Sequence, residues 1–228
     1  FGYASTITFV PEEQQSIWKL RKAGLGLLLG MKGDQKPIAF VEDTAVDPAR
    51  LAAFVPRFRA ILDKHGARAG YYGHCSVGCL HIRPLINLKE ARGVRQMKAI
   101  AEEITELVIE FGGALSGEHG DGLARSPANE RLYGPRLYEA FRQVKRTFDP
   151  KGLMNPGKIV DAPPMTQNLR YGPAYTTWVP DTILDFSGQG GFAAAVEMCN
   201  GMGACRKKLE GTMCPSYMAT RDEEHSTR

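Results

Sequence analysis

Apolar positions recur at helical spacing in several stretches of this 228-residue chain. From Asp47-Pro48 to about His65, the residues Leu51, Phe54, Val55, Phe58, Ile61 and Leu62 fall on one stripe, which predicts an amphipathic helix entered through a proline. Met97, Ile100, Ala101, Ile104, Leu107, Val108 and Phe111 keep the same spacing, so a second helix is expected from about Leu88 to Phe111, closed by Gly112-Gly113. A third begins at Pro135 and uses Leu137, Phe141, Val144 and Phe148. Pro11-Glu12-Glu13 suits a first helical turn, where proline lacks no needed amide and acids face the positive end of the helix, and Ile17, Trp18, Leu20 and Arg21 continue it. Pro37 to Val41 is short and apolar and reads as a strand ending at Glu42-Asp43, while Ala67 to Leu85 is strand material broken by glycine. The order predicts an α+β fold: a largely antiparallel sheet covered by helices.

After Asn155-Pro156-Gly157-Lys158-Ile159 the pattern fades. Residues 161–190 hold several prolines and no sustained period, the texture of an extended linker. A short helical stretch from Phe192 then leads into Cys199, Cys205 and Cys214, so residues 1–160 are expected to form the main domain and 191–228 the beginning of a small module.

Composition narrows the function. With 43% apolar and 24% charged residues the chain is ordinary globular material, enough for one core of about 150 residues. No apolar run approaches the roughly 18 residues of a membrane-spanning helix, and no signal-peptide layout is present. A net charge of +4 mildly favours small anionic ligands, but the basic residues never cluster as a nucleic-acid site would require. Five cysteines, an odd count without a secretory signal, point to a reducing compartment with thiols used as ligands rather than bridges, and the expected location is cytoplasmic, with a peripheral place at the inner membrane as the alternative. Neither end carries a natural start or stop signal, so the chain is expected to be cut from a longer protein; homo-oligomerisation stays open.

Two segments concentrate the chemistry. Gly73-His74-Cys75-Ser76-Val77-Gly78-Cys79-Leu80-His81 carries two histidines, and Ser116-Gly117-Glu118-His119-Gly120-Asp121-Gly122 carries an acid and an imidazole in a glycine-rich loop. In a straight strand His74 and His81 would face opposite sides, so they could share a ligand only if Ser76-Val77-Gly78 turned the chain between them. Two histidines and one carboxylate then make a metal site with open positions, and His119 is left for proton transfer. The plainer alternative is a hairpin and a solvated loop whose polar groups hold only hydrogen bonds.

The strings Lys36-Pro37-Ile38-Ala39-Phe40-Val41-Glu42-Asp43, His74 to His81, Ser116-Gly117-Glu118-His119-Gly120 and Phe148-Asp149-Pro150 to Asn155-Pro156-Gly157-Lys158-Ile159 resemble the C-terminal substrate domain of FAD-linked oxidases of the vanillyl-alcohol oxidase superfamily. The similarity is greatest to the D-2-hydroxyacid dehydrogenases of the D-lactate, glycolate and D-2-hydroxyglutarate types. The resemblance implies that His74, His81 and Glu118 hold a divalent metal such as zinc or manganese against the substrate. It also implies that His119 removes the hydroxyl proton, that Arg21 and Lys36 pair with the substrate carboxylate, and that Asn155 and Lys158 lie near the FAD. The resemblance implies a ferredoxin-like cap domain, and the flavin-binding domain of such enzymes would precede this chain. Many members have Asp-Gly-Asn where Val77-Gly78-Cys79 stands and Asn where Arg83 stands, so Arg83 is either an added cation for a second carboxylate or a solvated surface charge.

Cys199 to Cys205 and Cys214-Pro215 resemble the opening of the iron-sulfur domain fused to large members of this group, which implies a 4Fe-4S electron outlet completed beyond residue 228. The expected activity is therefore oxidation of a small anionic 2-hydroxyacid, with the electron acceptor unassigned. A flavin oxidase of alcohols or phenols, a metal-dependent hydrolase, and a structural zinc module closed by Cys75 or Cys79 are the competing possibilities.

Overall fold

The computed structural model describes residues 6–211 and 213–227. The chain divides into two compact units: Asp34–Thr176, and Phe1–Gly33 together with Thr177–Arg228. Helix α1 (Pro11–Leu29) belongs to the second of these.

In the unit Asp34–Thr176, strands β1 (Lys36–Pro37) and β2 (Thr44–Ala45) precede helix α2 (Leu51–Lys64), strands β3 (Ala69–His74) and β4 (Cys79–Ile86), and helix α3 (Ala91–Glu110). Strand β4 is the spine of an antiparallel sheet. One edge pairs along its length with β3; the other pairs with β2 near Cys79 and Leu80 and with β1 near Leu85 and Ile86. The expected strand at 37–41 is thus only two residues of ladder. Phe40 and Val41 are buried all the same, which is why an apolar run resembled a strand: it reports burial, not backbone pairing. Residues 38–43 connect β1 to β2 without strand structure, and Glu42 and Asp43 lie in this connection.

Residues Leu80, Ile82 and Ile86 face a core built with Phe54, Phe58 and Leu62 of α2 and Met97, Ile100, Ile104, Leu107 and Val108 of α3. Phe54 makes edge contacts with Phe58 and Phe111 at centroid distances of 5.9 and 5.2 Å. Both stripes expected from the periodicity therefore turn inward, and Gly112, at φ 62°, ends α3 in the left-handed conformation. Arginine 83 and His81 alternate with the core residues and point to the opposite face of β4.

Beyond α3, Ala114 exchanges both backbone hydrogen bonds with Ala45 (3.0 and 2.8 Å), laying the 114–119 segment beside β2. Helices α4 (Gly122–Arg125) and α5 (Asn129–Phe148) follow, α5 being kinked at Gly134 (φ 78°, ψ 161°). Its expected stripe does not face the core: Leu137, Val144 and Phe148 are exposed, and the helix buries Asn129 and Tyr138 instead. From Phe148 to Ser187 there is no helix or strand, yet Met165, Leu169 and Tyr171 pack against the core, so residues up to Thr176 join this unit rather than running free from residue 161.

The other unit contains α1, α6 (Phe192–Glu197) and α7 (Pro215–Thr220). Phe186 and Phe192 meet edge to face at 5.2 Å, Lys32 Nζ donates to the Gly188 carbonyl at 2.7 Å, and Tyr217 is buried. No helix among the described residues is long and apolar enough to cross a membrane.

Candidate functional site

The β3–β4 hairpin solves the facing problem posed by His74 and His81. Cys75–Val77 form a single 3-10 turn, and Gly78 closes it at φ 73°. A Cβ on Gly78 would stand 1.7 Å from the Val46 carbonyl oxygen, so both the dihedral and the space demand glycine. In the resulting register Tyr72 opposes His81, and opposed residues share a face. His74, two residues from Tyr72, lies diagonally across from His81 on that face, with ring centroids 5.3 Å apart.

The Glu118-His119 loop reaches this face because Asp43 holds it. The Asp43 side chain is fully buried; its Oδ2 accepts from the Ser116 hydroxyl (2.7 Å) and from the amides of Glu118 (3.1 Å) and His119 (2.8 Å). Its Oδ1 lies 3.2 Å from the Arg125 guanidinium, itself bonded to the Gly120 carbonyl. Burial alone would raise the Asp43 carboxyl, but the His119 amide, the Ser116 hydroxyl, the Glu118 amide and Arg125 together outweigh it and keep the group below its ordinary value. Asp43 sits at φ 60°, a conformation Asp tolerates better than most residues, and the turn sends Glu42 and Asp43 to different tasks.

Three imidazoles converge on one carboxylate oxygen. Oε1 of Glu118 lies 2.8 Å from His81 Nε2, 3.3 Å from His119 Nε2 and 3.7 Å from His74 Nε2. His81 is buried whereas His74, Glu118 and His119 are exposed, so the cluster is anchored on one side and open to solvent on the other. Behind it, buried Glu42 lies 3.1 Å from His81 Nδ1 and 3.1 Å from His119 Nδ1.

Among the described residues two sets place three ligand atoms within 4.8 Å of one another: His74, His81 and Glu118, and Glu42, His81 and His119. The first is the set expected from the sequence. Two imidazoles and a carboxylate around an open side fit a divalent ion that keeps positions for substrate. Neither set contains a cysteine. Cys79 is buried, and burial, followed by the charges of Glu118, Asp43 and Glu42, pushes its thiol up to about 11, while Cys75 is exposed.

The remaining expected residues are placed as follows. Lys36 lies on β1, opposite Ile86. Arg21 lies on α1, in the other unit, with its guanidinium 5.7 Å from the Trp18 ring centroid. Arg83 is half-buried and donates to Glu42 Oε1 (2.9 Å) and to the Tyr72 hydroxyl (3.0 Å). Asn155 is exposed at φ 47°, and the Lys158 ammonium donates to the Pro156 carbonyl at 3.3 Å. Cys199 is exposed and Cys205 half-buried, and Cys214 is buried with its thiol donating to the His225 carbonyl at 3.2 Å; the three do not form a metal-holding set among the described residues. Glu42, Asp43 and Tyr72, which stacks on His81 at 4.7 Å, are the site residues that pattern reasoning did not single out. The signals for Glu42 and Asp43 were a pair of adjacent acids closing an apolar run and their place in the Lys36–Asp43 string that carries the family resemblance.

Residues 2–159 match the model of the C-terminal domain of FAD-linked oxidases. This chain belongs to that family. It is 37% identical over 220 residues to the D-2-hydroxyglutarate dehydrogenase of Pantoea ananatis, a match covering 94% of this chain and 21% of that protein. The D-2-hydroxyglutarate dehydrogenase of Pseudomonas putida is 38% identical over 214 residues, covering 93% of this chain and 21% of its own length. The D-lactate dehydrogenase of Archaeoglobus fulgidus is 31% identical over 158 residues, 69% of this chain and 33% of that protein. The chain thus spans about a fifth of the length of the D-2-hydroxyglutarate dehydrogenases it matches.

Proposed function

We propose that this domain carries the substrate-binding and proton-transfer side of an FAD-dependent oxidation of a D-2-hydroxyacid to its 2-oxoacid. What supports the reading most is the convergence of His74, His81 and His119 on Glu118 Oε1 in a domain of this family. His74, His81 and Glu118 would hold a divalent ion, zinc or manganese, which when bound makes a coordinated hydroxyl easier to deprotonate. His119, exposed at the mouth of the cluster, would take the hydroxyl proton at Nε2. Lys36 would pair with the substrate carboxylate as a point charge. Arg83, beside Glu42, would stand near a second carboxylate if the substrate has one.

Oxidation at C2 removes one proton from oxygen and one hydride from carbon, and these residues handle the proton. FAD, when bound, supplies the two-electron acceptor; Asn155 and Lys158 would lie at its edge. A standard 4Fe-4S cluster needs four thiolates, and Cys199, Cys205 and Cys214 supply three that are not gathered here. These three cysteines by themselves therefore do not fit the cluster, and an iron-sulfur electron outlet is proposed for the longer protein only.

The relatives make D-2-hydroxyglutarate the first substrate to try, with D-lactate next. Mixed anaerobically with the FAD-loaded longer protein, the D acid should bleach the flavin, the L acid should not, and prior chelation should abolish bleaching. Hydrolysis of an ester without bleaching, or equal bleaching by both enantiomers after chelation, would overturn the proposal.

A further inference from the structure

Glu42 occupies an unusual place in this cluster. It is 3% exposed, and each of its two oxygens faces a different imidazole: Oε1 lies 3.1 Å from His81 Nδ1, Oε2 3.1 Å from His119 Nδ1. The His119 contact is a formed hydrogen bond. The His81 contact has the distance but not the alignment, and the buried His81 Nδ1 has no hydrogen-bond partner among the described residues. The two rings stack at 5.2 Å with only 17° between their planes, as expected of two imidazoles facing the fork of a single carboxylate. Arg83 donates to Oε1 at 2.9 Å and to the Tyr72 hydroxyl at 3.0 Å, and Tyr72 stacks on His81 at 4.7 Å, closing a frame around the carboxylate.

We propose that Glu42 is a positioning residue that fixes His119 in the Nδ1–H tautomer, leaving its Nε2 toward the open side of the site, and that orients the His81 ring, whose Nδ1 it faces at 3.1 Å. In a neutral imidazole only one nitrogen carries the proton, and the hydrogen bond at that nitrogen decides which. One buried carboxylate thereby equips His81 as a ligand and His119 as a proton acceptor, and it balances the positive charge that His119 gains on accepting a proton. The alternative, Glu42 as a direct ligand with His81 and His119, would seat a dication beside the Arg83 guanidinium, where like charges repel. The open set of His74, His81 and Glu118 avoids that neighbour. The inference about His119 as base rests on the oxidation proposed above; the tautomer itself does not.

Two measurements on the full 228-residue chain decide the matter. The first is nitrogen-15 NMR of the histidine side chains at alkaline pH without metal, where His119 should show a protonated Nδ1 and an unprotonated Nε2; an Nε2–H ring at His119 overturns the proposal. The second is titration with Mn2+. Glu42→Gln should retain one ion per chain and weaken its affinity about 10- to 100-fold, with partial recovery in Glu42→Asp. Unchanged affinity in Glu42→Gln refutes the positioning role, as does loss of the ion in Glu42→Gln with no effect of His74→Ala, which would make Glu42 the ligand. If Glu42→Gln does not fold, the wild-type spectrum still decides. A wild-type chain that binds no Mn2+ or Zn2+ but shows the expected His119 tautomer would sink the metal-assisted oxidation and leave the His119 part of this inference standing.

Discussion

Asp43→Asn tests how the two halves of the site are joined. The substitution keeps shape but removes a fully buried charge that accepts from three donors, the Ser116 hydroxyl and the amides of Glu118 and His119, and that lies 3.2 Å from the Arg125 guanidinium, whose side chain is only 9% exposed. An asparagine can turn its oxygen toward the loop amides, but its NH2 then confronts Arg125, leaving a buried cation without a counter-charge. Breaking one partner of a buried pair costs about 3–5 kcal/mol. Against a total stability of about 5–15 kcal/mol the protein should still fold, with its urea midpoint shifted far to lower concentration. The same change loosens the Glu118-His119 loop, so Mn2+ affinity should fall in step. Adding Arg125→Met should return part of the lost stability, because the stranded cation is gone; the double-mutant cycle would report coupling of about 0.5–3 kcal/mol. A loss below about 1 kcal/mol with unchanged metal affinity would refute Asp43 as the anchor of the loop.

Other consequences are more local. Gly78→Ala places a methyl against the Val46 carbonyl at a φ of 73°, and a destabilisation of about 2–4 kcal/mol is expected by urea unfolding; a neutral result would mean that the hairpin turn adopts another geometry. At the end of α5 the Asp149 carboxyl is held at about 2, against an ordinary 3.8, first by Lys145 and then by the Met154 and Leu153 amides. Its contribution is present above its ordinary range and is lost as pH falls from 3.8 toward 2. The melting-temperature gap between wild type and Asp149→Asn should therefore narrow across that window, and a gap that stays constant would contradict the assignment. Because the Cys79 thiol is raised to about 11, it should resist iodoacetamide in mildly alkaline buffer while exposed Cys75 is modified; mass spectrometry showing equal labelling would disprove this.

What could be read from the chain alone follows a physical line. Helices α2 and α3 were legible because their apolar stripes face a core, and the histidine hairpin because glycine marks its turn. The periodicity of α5 was equally clear, yet it reports only that one face is apolar; Leu137, Val144 and Phe148 show that such a face need not be covered within this chain. Glu42 and Asp43 were visible only as the end of an apolar run and of the string that carries the family resemblance. Their roles depend on two-residue strands pairing with opposite ends of β4 and on the connection between them, contacts that span some 40 residues and leave no local period. The same holds for Arg83, whose neighbours in the sequence give no hint that Glu42 waits across the sheet.

Crystals of the 228-residue chain soaked in Zn2+ or Mn2+, with data collected at the metal's absorption edge, address the central claim directly. A single anomalous peak is expected among His74 Nε2, His81 Nε2 and Glu118 Oε1, with His119 outside the coordination sphere. A peak enclosed by Glu42, His81 and His119, or no peak anywhere near these rings, would contradict it.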